Sequence, residues 1–79
     1  MQRFYFHVFN DEETRDEIGQ VFSNLAAAQT SAELDCVALA AASVTEHRHL
    51  IMHHRIEIED KTGAVLSTVR FGDVIDVRR

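Results

Sequence analysis

The sequence has no proline, no tryptophan, three glycines and a single cysteine in 79 residues. One cysteine excludes an intrachain disulfide. Cys36 sits in apolar, helix-prone sequence, where a lone cysteine behaves as a small buried hydrophobe, whereas a reactive thiol needs a nearby base and partial exposure. No stretch approaches the ~20 apolar residues that a membrane-spanning helix requires. Residues 1–9 lack the basic segment, long apolar run and small-residue cleavage site of a secretory signal. The expectation is a soluble, cytoplasmic protein. Positive charge is scarce: eight Lys and Arg stand against 13 Asp and Glu, for a formal net charge of −5. Nucleic-acid binding draws most of its affinity from phosphate neutralisation, so this acidity argues against it. The basic residues are scattered, and only Arg70, Arg78 and Arg79 hint at a cluster. A P-loop, a Gly-rich phosphate cradle and a nucleophile motif are all missing.

A chain of this length makes one domain, spanning residues 1–79. Its core is thin, because small domains bury a smaller share of their surface, and such folds gain from association. The most telling stretch is residues 24–49, with no Gly and no Pro and rich in Ala and Leu. Ser23 or Asn24 suits the N-cap. Leu25, Ala28, Ala32, Cys36, Leu39 and Ala40 recur at helical spacing and form the expected core face. A second set, Leu34, Val37, Ala41 and Val44, lies a quarter to a third of a turn away. The apolar arc is therefore wider than one small sheet face needs, and these four residues are candidate interface positions.

Strand-like sequence flanks the helix. In residues 3–9, period two puts Phe4, Phe6 and Val8 on one face and Tyr5, His7 and Phe9 on the other. Residues 10–16 read as an acidic loop, and residues 17–22 as a weaker second strand in which Gly19 marks a bulge or close backbone approach. After the helix, Ile56 and Ile58 alternate with Arg55, Glu57 and Glu59. Asp60, Lys61, Thr62 and Gly63 form a hairpin turn, residues 64–71 a fourth strand, and Val74, Ile75 and Val77 an apolar tail. The order ββαββ predicts an α+β two-layer sandwich, one long helix on a small, mostly antiparallel sheet. Tyr5, His7 and Phe9 would share the sheet's open face with charged neighbours, a pattern expected of an association surface.

Several of these pieces, taken in order, resemble a family of short bacterial proteins, abundant in rhizobia and their relatives and catalogued only as a domain of unknown function. The likeness is carried by the opening Arg3, Phe4, Tyr5, Phe6, His7 and Val8; by Asp16, Glu17, Ile18, Gly19 and Phe22; by Leu25, Ala26, Ala27 and Ala28; and by Arg55, Ile56, Glu57, Ile58, Asp60, Gly63, Val65, Leu66 and Phe71. The segment Val69, Arg70, Phe71 departs from it, since a proline is expected before the Phe, as does the His-rich helix end. The resemblance implies a fold and an origin and brings no activity.

The chemically unusual segment is His47, His49, His53 and His54, four imidazoles within eight residues. Imidazole is a good ligand for zinc and similar transition metals, yet neither spacing fits a known metal motif and no Cys completes a tetrahedral set. The competing reading is a polar helix end, where cationic His suits the dipole. The cluster would also suit a pH sensor, since His titrates between about pH 5 and 8. The acids at 11, 12, 13, 16 and 17 lack the alternation of a Ca²⁺ loop. His7 with Tyr5 and Glu57 or Glu59 offers acid–base groups, but a flat face lacks the concavity of a catalytic site. The expected function is thus a non-enzymatic, self-associating interaction module, a homodimer with no cofactor and an unidentified protein partner. The alternative is a regulatory domain that binds a metal through the histidines or nucleic acid through its scattered arginines.

Overall fold

The computed structural model describes residues 1–10 and 12–75. The readings placed on Asp11, Val77, Arg78 and Arg79 lie outside the described residues. In chain order the elements are β1 (Gln2–Phe9), β2 (Glu13–Thr14), β3 (Gln20–Phe22), α1 (Leu25–His47), β4 (Arg55–Glu59), β5 (Val65–Arg70) and the short α2 (Phe71–Val74). The sheet is antiparallel, ordered β2-β1-β4-β5, with β3 also paired to β1. The fold is α+β, one long helix laid on a small sheet. Among the described residues, no helix is long and apolar enough to cross a membrane.

The expected second strand, residues 17–22, shortens to β3, and a further short strand, β2, forms inside what the sequence suggested was an acidic loop, residues 10–16. β2 pairs Glu13 and Thr14 with Phe9 and Val8, while β3 pairs residues 20–22 with residues 2–4. Between the two pairings, residues 15–19 stand opposite residues 5–7, so five residues face three and the ladder is interrupted. This is a wide irregularity of the bulge type, and it accounts for the ill-defined strand signal there. Gly19 closes it at φ +75°, where an added Cβ would lie 2.9 Å from Phe4 O and from Arg3 Cγ.

The helix begins where Asn24 Oδ1 accepts the Ala27 N–H at 2.8 Å, satisfying one of the free amides of the first turn. It ends at Arg48, which adopts the left-handed conformation, φ 56°, a role glycine usually fills. Its buried residues are Ala28, Ala32, Cys36 and Ala40, all small and spaced by four, so the backbone lies close on the sheet. They meet Phe4, Phe6, Ile56, Ile58, Val69 and Phe71 in the core, with Leu25 and Leu39 packed at its margin. Phe22 stacks on Phe6, ring centroids 5.7 Å apart. The helix is 23 residues long, about 34 Å, whereas a five-residue strand such as β4 spans only about 17 Å. No residue of the helix after Ala40 is buried, so its C-terminal part overhangs the sheet.

Candidate functional site

Two places deserve comparison: the sheet face turned away from the helix, and the flank of α1. On the sheet face, alternation turns Tyr5, His7 and Phe9 of β1 outward beside Arg55, Glu57 and Glu59 of β4, in the register Tyr5–Glu59, His7–Glu57, Phe9–Arg55. This face is not the open aromatic surface expected from the sequence. His7 is buried, because the interrupted segment between β2 and β3 folds against it. Its Nδ1 accepts the Asp16 backbone N–H at 3.0 Å. A nitrogen that accepts carries no proton, so the neutral ring holds its proton on Nε2, which faces Glu59 Oε1 at 3.4 Å.

Asp16 is the centre of this arrangement. Its Oδ2 accepts the Phe6 N–H at 3.2 Å, and its Oδ1 accepts those of Ile18 and Gly19 at 3.1 and 2.9 Å. The carboxylate thereby stands in for the strand that is missing opposite Phe6. Burial alone would push the Asp16 carboxyl up; the backbone donors of Gly19, Phe6 and Ile18 outweigh it and hold the group below its ordinary value. Arg3 Nη1 donates to Ile18 O at 2.8 Å and closes the same segment from outside.

The rest of the face is paired as well. Arg15 bridges Glu13 Oε2 at 2.8 Å and Glu59 Oε2 at 3.3 Å. Arg55 binds Glu57 Oε2 at 2.7 Å. Both guanidinium groups lie over the Phe9 ring, 4.3 Å from its centroid for Arg55 and 5.5 Å for Arg15. The charged residues that look like chemistry are thus bonded to one another and to the backbone. Sequence reasoning placed His7 on this face but missed Asp16 and Arg15, which it assigned to a solvated loop. The signal available was Asp16 three residues before Gly19, the spacing of a side chain that gathers backbone amides at a tight turn.

The histidines at the helix end divide. His47 and His49 stack, centroids 5.5 Å apart, while His54 is buried edge-on to Phe71. His53 is exposed and touches His54 edge-on. Among the described residues, no group of three or more His, Cys, Asp or Glu side chains could hold a metal ion. Cys36 is buried, and burial pushes its thiol up to about 11, so it stays protonated and inert at neutral pH.

The flank of α1 contrasts with all of this. Leu34 is 68% exposed, Val44 50% and Val37 43%, and Ala41 between them is exposed too. Among the described residues they border two shallow grooves. One lies between α1 and the β5–α2 edge, lined by Glu33, Leu34, Val37, Thr68 and Asp73. The other lies at the overhanging end, lined by Val37, Ala41, Val44, Leu50 and Ile75.

These features define a two-layer α+β domain with two short strands beside β1, a bonded outer face and an uncovered helix flank. Residues 3–72 match the family described as "Domain of unknown function (DUF6894)", and the chain belongs to that family. Comparison with curated proteins and with solved structures gives no match.

Proposed function

We propose that the domain is a small, non-enzymatic interaction module that acts by associating with itself, as a homodimer. The observation that carries this reading is the uncovered stripe of Leu34, Val37, Ala41 and Val44 on the long helix. Isolated exposed apolar residues are ordinary, but a contiguous row bordering grooves marks a contact surface. A domain with ten buried hydrophobic core residues among the described residues gains proportionately more from covering such a row than a large one does. The non-enzymatic part is supported by the outer face. His7 spends Nδ1 on a backbone amide, and Asp16 spends both carboxylate oxygens on three more. A general base needs a lone pair within reach of a substrate proton.

Light scattering after size exclusion, over a concentration series, tests the reading. The mass should rise from that of one chain toward that of two. A mass fixed at one chain up to high micromolar concentration would remove self-association from consideration.

A further inference from the structure

We propose that the second copy docks antiparallel, helix flank against helix flank, so that Leu34 of each protomer enters the groove beside the partner's Val44. This rests on the self-association reading and specifies its geometry. Four observations lead to it.

The stripe residues 34, 37, 41 and 44 are spaced three, four, three, which is the seam of a two-heptad helix pair. Thr30 extends the same spacing by one step at the N-terminal end.

The surface is complementary to itself. Leu34, the most exposed member, is a knob at one end. Toward the other end of the stripe, Val37, Ala41, Val44, Leu50 and Ile75 line an apolar groove of about 350 Å³ among the described residues. A twofold axis near the middle of the stripe sets residue 34 against the partner's 44, and residue 37 against the partner's 41. One knob-and-groove contact is thereby made twice.

Charge selects the direction. Glu33 stands beside Leu34, and it lines the first groove with Asp73. His47 and Arg48 lie at the opposite end of the helix. Antiparallel docking brings Arg48 at the end of each helix toward Glu33 of its partner, with Glu46 held beside His47, and opposes the two helix dipoles. Parallel docking stacks Glu33 on the partner's Glu33.

The sheet edges are poor alternatives. Phe71 N–H donates to His54 O at 2.9 Å. Since ladder bonds alternate along an antiparallel pair, this directs the backbone groups of Thr68 and Arg70 to the free side of β5. The Arg70 N–H is already taken by Asp73 Oδ2 at 2.9 Å, and Leu66 is the extra residue of an irregularity opposite Ile58 and Glu59. The other edge consists of β2 and β3, two and three residues long. Short, bulged and capped edges resist strand addition. Four stripe residues a side are far fewer than the roughly 20–30 of a standard interface, so the dimer is weak and concentration-dependent.

Disulfide trapping on the full chain tests the geometry. L34C and V44C are made singly, with Cys36 retained because it is buried. Oxidation of an equimolar mixture should yield the crosslinked heterodimer, while each variant alone stays largely uncrosslinked. Efficient crosslinking of L34C with itself would overturn the antiparallel arrangement. So would failure of the mixture to crosslink while light scattering of the wild type still shows two chains, which leaves self-association standing on another face. A wild type that is monomeric throughout would instead defeat the functional reading itself. As a second measurement, E33R should weaken association roughly three- to tenfold, about two exposed ion pairs' worth. The double variant E33R/R48E should recover most of that loss. Equal weakening in the single and double variants would contradict the pairing.

Discussion

The outer face of the sheet and the flank of the helix invite opposite mistakes. The sheet face holds His7, Asp16, Glu59 and Arg15 within one network, the residue types of acid–base chemistry, and every one of them is bonded inside the fold. The helix flank offers only Leu, Val and Ala, with three of its four residues 43–68% exposed. Residue type alone would send attention to the first region. Satisfaction of bonding capacity sends it to the second, because a saturated polar network holds a structure together while uncovered apolar surface still has free energy to gain from contact.

If the outer face is structural, damage there must appear as lost stability. The largest effect is expected from Gly19→Ala. It forces a side chain into a positive φ and against Phe4 O and Arg3 Cγ, at a cost of roughly 2–4 kcal/mol. Urea denaturation monitored by circular dichroism would measure it, and an unchanged midpoint would mean that the interrupted strand is not rigid. Asp16→Ala follows. It leaves the amides of Phe6, Ile18 and Gly19 without their acceptor, and because water reaches part of this segment the expected loss is about 1–2 kcal/mol.

The Asp16 effect carries a pH signature with a definite sign. The folded carboxyl lies below its ordinary value of 3.8, so the folded state binds the proton less readily than the unfolded chain does. The stabilisation is present above that value and disappears as the pH falls through the folded one. The stability gap between wild type and Asp16→Ala should therefore be full at pH 6 and shrink below about pH 3.8. A gap that stays constant to pH 2 would show that the carboxylate's charge is not what holds the segment.

Much of this was legible in the chain. The alternation of Arg55, Ile56, Glu57, Ile58 and Glu59 is the observed β4, and the predicted core face of the helix is the one found, with Leu25 and Leu39 at its margin. Of the two candidate caps, Ser23 and Asn24, it is Asn24 that caps the helix. The short β2 within the expected loop and the late start of β3 were not legible, because a side chain produces them. Asp16 takes amides that a ladder would otherwise use, and hydrophobic period does not register that substitution. The burial of His7 was hidden for the same reason, since it depends on where residues 15–19 fold back and not on the residues beside it. Phe71 read as the end of a strand, yet it begins α2; the Asp73 carboxylate that accepts the Arg70 N–H ends the strand there.

A smaller effect sharpens the contrast from the helix side. Arg48→Gly relieves the left-handed cap and should raise stability by roughly 0.5–1 kcal/mol. It also removes the cation proposed to meet the partner's Glu33, so tighter folding and weaker association should come from one substitution. Parallel denaturation and light-scattering series would show whether the two properties separate.

The smallest effect on folding, and the most direct test, belongs to the flank itself. Sedimentation equilibrium would be run on wild type and on Leu34→Asp/Val44→Asp, with unfolding midpoints recorded alongside. Exposed substitutions change stability by no more than about 0.5 kcal/mol each, so the double variant should stay folded. The wild type should fit a monomer–dimer equilibrium and the double variant a single monomer. A double variant that associates as strongly as the wild type would contradict the assignment of this flank as the contact surface.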